Sequence, residues 1–195
     1  QFEGGLRARR SSGENPRGER VTMNVYLALL RLVHIGSGVF WAGAAVMIAA
    51  FIEPAVRASG AEGGRFMQRL VEQHRFSLFM SLASLLTAVS GLLLYWPASG
   101  HLRLGWLTSG SGATLTIGTV AGLLAFALGF AVNGPTARQV AMLGQEMQAA
   151  GGPPSPVQVA KMEALQERLR NAGILDAALL GIAVAGMAIA RYVSW

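Results

Sequence analysis

Few groups in this chain are able to do redox or metal chemistry. Three histidines, His34, His74 and His101, are the imidazoles available, eight methionines supply thioethers, and cysteine is absent. Disulfides, cysteine-ligated metal and thiol catalysis are thereby excluded. His34 stands apart because it lies inside an apolar run, Val25 to Ile52, whose other group carrying charge near neutral pH is Arg31. On a 3.6-residue wheel Arg31, His34, Gly38, Trp41, Ala45, Ile48 and Ile52 share one face, with Gly36 and Gly43 nearly opposite. That face is polar from Arg31 to Trp41 and apolar from Ile48 on, so intramembrane chemistry belongs in its first half. An imidazole in lipid is costly unless it faces protein, water or a bound group. Two readings of His34 stay open: a cofactor ligand or proton carrier, and a structural hydrogen bond to a neighbouring helix.

The elements that must position these groups follow from apolar run length. At ~1.5 Å per residue, the 25–52 run exceeds a hydrocarbon core of ~30 Å. Three further runs, about 76–96, 113–133 and 172–194, are also long enough. The expected fold is therefore all-α, an integral membrane antiparallel four-helix bundle. With 52% hydrophobic and 13% charged residues in 195, one membrane domain accounts for the chain. The net charge of +6 comes mainly from arginines beside the spans, so it reads as a topology signal, and nucleic acid is not an expected partner.

An even number of spans puts both of their ends on one side, A, together with the 98–112 loop. Loops 53–75 and 134–171 then share side B, which carries Arg57, Arg65, Arg69, Arg75, Arg138, Lys161, Arg168 and Arg170 against Arg103 and Arg191 on side A. The positive-inside rule places side B in the cytoplasm, although the five arginines of residues 1–22 nearly offset that bias. Residues 1–22, polar and rich in Gly and Arg, predict no independent fold, and Met23 is a candidate natural start. Residues 23–195 form the four-span domain. Glu53-Pro54 is expected to end the first span. The 57–75 loop predicts a short interfacial helix, with Phe66, Met67, Leu70 and Val71 alternating with charges. Between the third and fourth spans, Pro135 to Gln148 predicts a helix and GGPPSP a break. A new helix then starts with Ser155 as N-cap and Pro156 in its first turn.

Small residues mark two more faces. Gly118, Gly122, Ala125 and Gly129 form a stripe on the third span, read as a helix-packing surface. On the second span His74, Ser77, Ser81, Ser84, Ala88, Gly91 and Tyr95 align, but serines can bond their own helix, so this stripe does not define a transport path. Asp176 opens the fourth span on side B and reads as a structural anchor, with Arg75, His74 or Arg170 as neutralising partners.

The string Leu32-Val33-His34, then Trp41, Gly43 and Pro54, resembles the first helix of the CopD and HemJ-like families of small bacterial membrane proteins. The likeness extends loosely to the four-span layout and the Arg-rich entry to the second span. The third span differs from the HemJ pattern, having no histidine and no lysine after Trp106. The resemblance implies a multi-pass protein of the bacterial inner membrane, and haem b with His34 as the metal ligand. HemJ-type proteins act in protoporphyrinogen oxidation, and CopD-type proteins in copper handling. Trp41, beside His34, belongs to the same site.

Depth tests that implication. His34 enters from side A and His74 from side B, so the two differ by ~20 Å and do not share one iron. Met187, counted back from Trp195, lies near the depth of His34, and His/Met ligation is known haem chemistry. His101 is another candidate if its loop folds inward, as is a partner chain. Arg31 and Arg191 lie toward side A, within reach of propionates. Copper transfer calls for clustered soft ligands, and the methionines are scattered. No hydrolase, kinase or dinucleotide motif is present, so whether the chain is an enzyme stays open. Two functions remain: a haem-associated redox protein, and a non-catalytic accessory subunit packing on other membrane subunits or on copies of itself.

Overall fold

The four apolar runs become four long helices, continuous over residues 20–58, 76–98, 110–149 and 156–192. The computed structural model describes residues 16–72 and 74–195, so most of the expected tail, residues 1–15, lies outside the described residues. In chain order come α1 (Pro16–Met47), α2 (Glu53–Ala58), α3 (Gly60–Glu72), α4 (Phe76–Ala98), a single turn α5 (Leu104–Leu107), α6 (Gly110–Leu128), α7 (Gly134–Ala149) and α8 (Pro156–Ile189), closed by a 3-10 turn at Ala190–Tyr192. No strand occurs among the described residues. The all-α fold expected from the sequence is what forms. Helix already begins at Pro16, so residues 16–22 extend α1.

The chain is an integral membrane protein by the length and apolar composition of these helices. Only 11% to 22% of the most apolar window of each is buried inside the protein. Large side chains such as Leu32, Val39, Ile117 and Phe130 stand outward. In water such surfaces would aggregate; against lipid they need no further cover, because hydrocarbon is as apolar as they are.

Glu53-Pro54 does not end the first helix, contrary to expectation. Between α1 and α2 the helix widens into a π turn at Ile48–Ile52, closed by the Glu53 N–H on the Ile48 carbonyl, and then continues. The third span repeats the device: a π turn at Gly129–Asn133, closed by the Gly134 N–H on the Gly129 carbonyl, joins α6 to α7. In both places proline follows the closing residue, Pro54 and Pro135. Proline lacks an N–H, and its ring collides with the carbonyl four residues earlier, here Ala50 and Ala131. Widening by one residue relieves the collision and lets the helix proceed.

The other ends are set by side chains. Ser155 caps α8 through a full capping box: its hydroxyl accepts from Gln158 N–H while the Gln158 side chain accepts from Ser155 N–H. Ser109 accepts from Gly112 N–H at the start of α6. α3 is the amphipathic helix expected after the first span, with Phe66 exposed and Met67, Leu70 and Val71 half-buried.

The spans pack as two close pairs. α6 and α8 meet most extensively, α1 and α4 next, and contacts between the pairs are sparse. Gly186 makes the first pair possible: a Cβ there would stand 3.0 Å from Gly118 Cα and 3.1 Å from the Thr114 carbonyl oxygen. This is the small-residue packing read from Gly118. Trp41, Ala45, Ala83, Ala125 and Leu180, one or more from each span, form the central core. The serine stripe of α4 behaves as its chemistry suggests, with Ser81 donating to the Ser77 carbonyl and Ser84 to that of Ser81.

Candidate functional site

His34 sits half-buried on the face of α1 turned to α4. Its Nδ1 lies 2.9 Å from the Thr87 carbonyl oxygen. A carbonyl only accepts, so Nδ1 carries the proton, and Nε2, which has no hydrogen-bond partner among the described residues, keeps its lone pair. Ser90 Oγ, 3.4 Å from Nδ1, adds a longer polar contact and is itself tied to the Leu86 carbonyl. The Thr87 and Ser37 hydroxyls, 2.8 Å apart, fasten α1 to α4 one turn further along. Both readings of His34 thus meet in one residue: the structural hydrogen bond exists, and it leaves the other nitrogen available.

Space for the ring is provided by Gly91. A Cβ at that position would stand 2.8 Å from His34 Cε1 and 3.2 Å from Nδ1, so any larger residue would push the imidazole away. Gly38 fits similarly against Thr87, with room for a methyl at 3.5 Å from Thr87 Cγ2.

Because the two helix pairs meet loosely, a cavity of about 470 Å³ opens between them. Arg31, His34 and Trp41 line it from α1, Ala88, Gly91 and Tyr95 from α4, Thr119 and Gly122 from α6, and Met187 from α8. The lining is mostly apolar, and its volume falls within the range of small-molecule sites. Trp41 is 5% exposed and walls the side-B end of the polar stretch. Tyr95 bonds Thr116 of α6 at 2.6 Å and meets the Trp106 ring edge-on at 5.7 Å, tying α4, α5 and α6 together at the side-A end. Arg31 is exposed and has no ion-pair partner among the described residues.

Four of the six residues singled out in the sequence, Arg31, His34, Trp41 and Met187, therefore share one cavity. His101 and Arg191 do not line it. His101 is exposed on the loop after α4, edge-on to Trp96 at 5.3 Å, in a left-handed run with φ of 60°, 64° and 65° at Gly100, His101 and Leu102. Arg191 lies over its neighbour Tyr192, 4.6 Å from the ring centroid. Within the small-residue stripe of the third span, Gly122 lines the cavity while Gly118 is taken up by packing on α8.

Sequence reading missed Thr87 and Thr119. Thr87 acts on His34 through its carbonyl, which no side-chain pattern reveals. The signal for Thr119 was a hydroxyl facing the Gly118 and Gly122 side of an otherwise apolar helix. No cluster of three or more His, Asp or Glu with metal-binding geometry occurs among the described residues. Comparison with family models, with curated proteins and with solved structures finds no match.

Proposed function

We propose that this membrane protein binds haem b between its two helix pairs, where His34 would hold the iron, and serves a redox-linked role. The observation that carries the reading is the state of His34: Nδ1–H donates to Thr87, and Nε2 is left free at the wall of a 470 Å³ cavity. A metal-binding histidine is ordinarily oriented this way, its second ring nitrogen held by a carbonyl or carboxylate. Met187 on α8 offers a thioether from the opposite pair, and Arg31 offers a guanidinium for a propionate. Bound haem would supply a one-electron iron couple. This chain's residues would hold it, exclude water with an apolar lining, and bias its potential through the side chains that hold the iron and through burial.

The reading places the site toward side A. The arginine balance of the loops puts 53–75 and 134–171 in the cytoplasm, and with them side B. A bacterial inner membrane is the setting that the resemblance of the first helix implies.

The test is the absorption spectrum of protein purified in detergent. A Soret band is expected that disappears in His34→Ala and persists in His74→Ala and His101→Ala. A colourless wild type that copurifies with other membrane subunits would overturn it in favour of the accessory role. Loss of the band in His74→Ala alone would move the site to side B.

A further inference from the structure

The hydrogen bond between Tyr95 and Thr116 fixes how α4 and α6 face each other. The two helices run antiparallel, so one turn deeper Leu92 stands opposite Thr119, and a further turn on Ala88 stands opposite Leu123. All four of these residues line the cavity, which over these turns therefore lies between α4 and α6. Deeper still, Ala83 of α4 and Ala125 of α6 come together in the buried core. The seam is thus shut at both ends, by a tyrosine and a threonine toward side A and by packed alanines at depth. Between the two closures run ~14–18 Å of helix.

This opening faces lipid. Leu92 lines the cavity and is also 47% exposed, so it stands on the rim and not inside. Beside it Val89 on α4 and Val120 on α6 are exposed as well, and in mid-span such side chains meet hydrocarbon. At the side-A closure the Trp106 ring of α5 backs Tyr95 edge-on at 5.7 Å. The hydrogens of this closure can be assigned. The Thr116 hydroxyl donates to the Gly112 carbonyl at 2.7 Å, so its oxygen accepts and Tyr95 is the donor across the seam.

We propose that the α4–α6 seam is a lateral portal through which a flat, apolar molecule dissolved in the bilayer enters the cavity, with the Tyr95–Thr116 bond as its latch. A molecule that partitions into hydrocarbon reaches the cavity by this route without crossing water. Breaking one neutral hydrogen bond and turning one aromatic ring widens the seam, while the close pairings of α1 with α4 and α6 with α8 stay intact. The portal rests on the haem reading for the identity of its ligand, not for the route.

The chain contains no cysteine, so one introduced by Ala88→Cys is the sole thiol in the cavity. In proteoliposomes pyrene maleimide, flat and apolar, should label it, whereas a sulfonate-bearing methanethiosulfonate should not. Adding Tyr95→Phe or Thr116→Val, each of which deletes the latch, should speed pyrene labelling about three-fold, the worth of a typical side-chain hydrogen bond between membrane helices. Thr116→Ser keeps the accepting oxygen and should leave the rate unchanged. Labelling by the charged reagent as fast as by pyrene maleimide would overturn the portal and put the entrance in the water at side A. No labelling by pyrene maleimide, or equal rates with and without the latch, would overturn it too. Should Tyr95→Phe not fold, Thr116→Val breaks the same bond from the other side. No step of the test uses haem: a colourless protein that labels as expected sinks the haem reading and keeps the portal, and a Soret band with unchanged labelling rates does the reverse.

Discussion

Gly91 is the residue on which the proposed use of His34 depends most directly. A methyl added there meets the imidazole at 2.8 Å, closer than real side-chain carbons approach. Either the ring swings off the Thr87 carbonyl or α4 withdraws from α1. Gly91→Ala should therefore lower haem retention by about 10- to 100-fold, the range seen when the groups orienting a metal ligand are disturbed. The readout is Soret absorbance per protein across a haem titration. Gly36, with nothing within 4 Å of a built Cβ, is the control, and Gly36→Ala should leave the titration unchanged. At this scale the sequence was partly legible. The wheel put Arg31, His34 and Trp41 on one face, and the lipid cost of an imidazole demanded a partner for it. That the partner is a backbone carbonyl could not be read, since every residue has one and only packing selects Thr87.

Among the elements, α8 offers two contrasting tests. Its capping box satisfies two amide groups where the chain leaves the Gly-Pro break. Ser155→Ala should cost about 1 kcal/mol locally, seen as faster amide exchange over residues 156–160 with little change in the spans. Further along, Gly186 faces Gly118 with no room for a side chain. Gly186→Leu forces α6 and α8 apart and should destabilise the protein by ~1–3 kcal/mol, as overpacked interfaces do, read from the denaturation midpoint in detergent. The cap, the start of α8 and the packing stripe were all legible because serine before proline and repeated glycine each have one common mechanical use. The continuation of the helix through Pro54 was not. The rule that proline disfavours helix in the preceding residue is sound locally, but a membrane-length helix has too many other hydrogen bonds at stake to stop there, and it widens instead.

At the scale of the whole molecule, the arrangement is two tight pairs with a loose seam. The number of spans and their antiparallel order were written in four apolar runs, whereas the seam was not, because it depends on which helices pair closely. A seam of this kind ties stability to occupancy. Any ligand that bridges α1 and α8 binds the folded state alone and stabilises it in proportion to the logarithm of its concentration over Kd. Haem added to the wild type should raise the thermal midpoint by several degrees, and His34→Ala should show no such rise. Single cysteines placed at Ala58 and Ala150 should label from the cytoplasmic side only, and one at Leu104 from the opposite side, if the arginine balance sets the orientation.

The paired π turns also bear on how the length of this chain can change. Each turn holds one residue more than an α-helix of the same rise requires, and it is held open by the proline that follows. Removing that surplus residue together with the proline's constraint should return the segment to plain α geometry and leave all other side chains on their original faces. A deletion of Ala131 combined with Pro135→Ala is therefore expected to give a folded, membrane-inserted protein. The same one-residue deletion at Ala125, inside regular helix, would rotate everything beyond it by ~100° and should abolish folded yield. The two helices that look most damaged by proline are, by this reasoning, the ones best able to tolerate losing a residue.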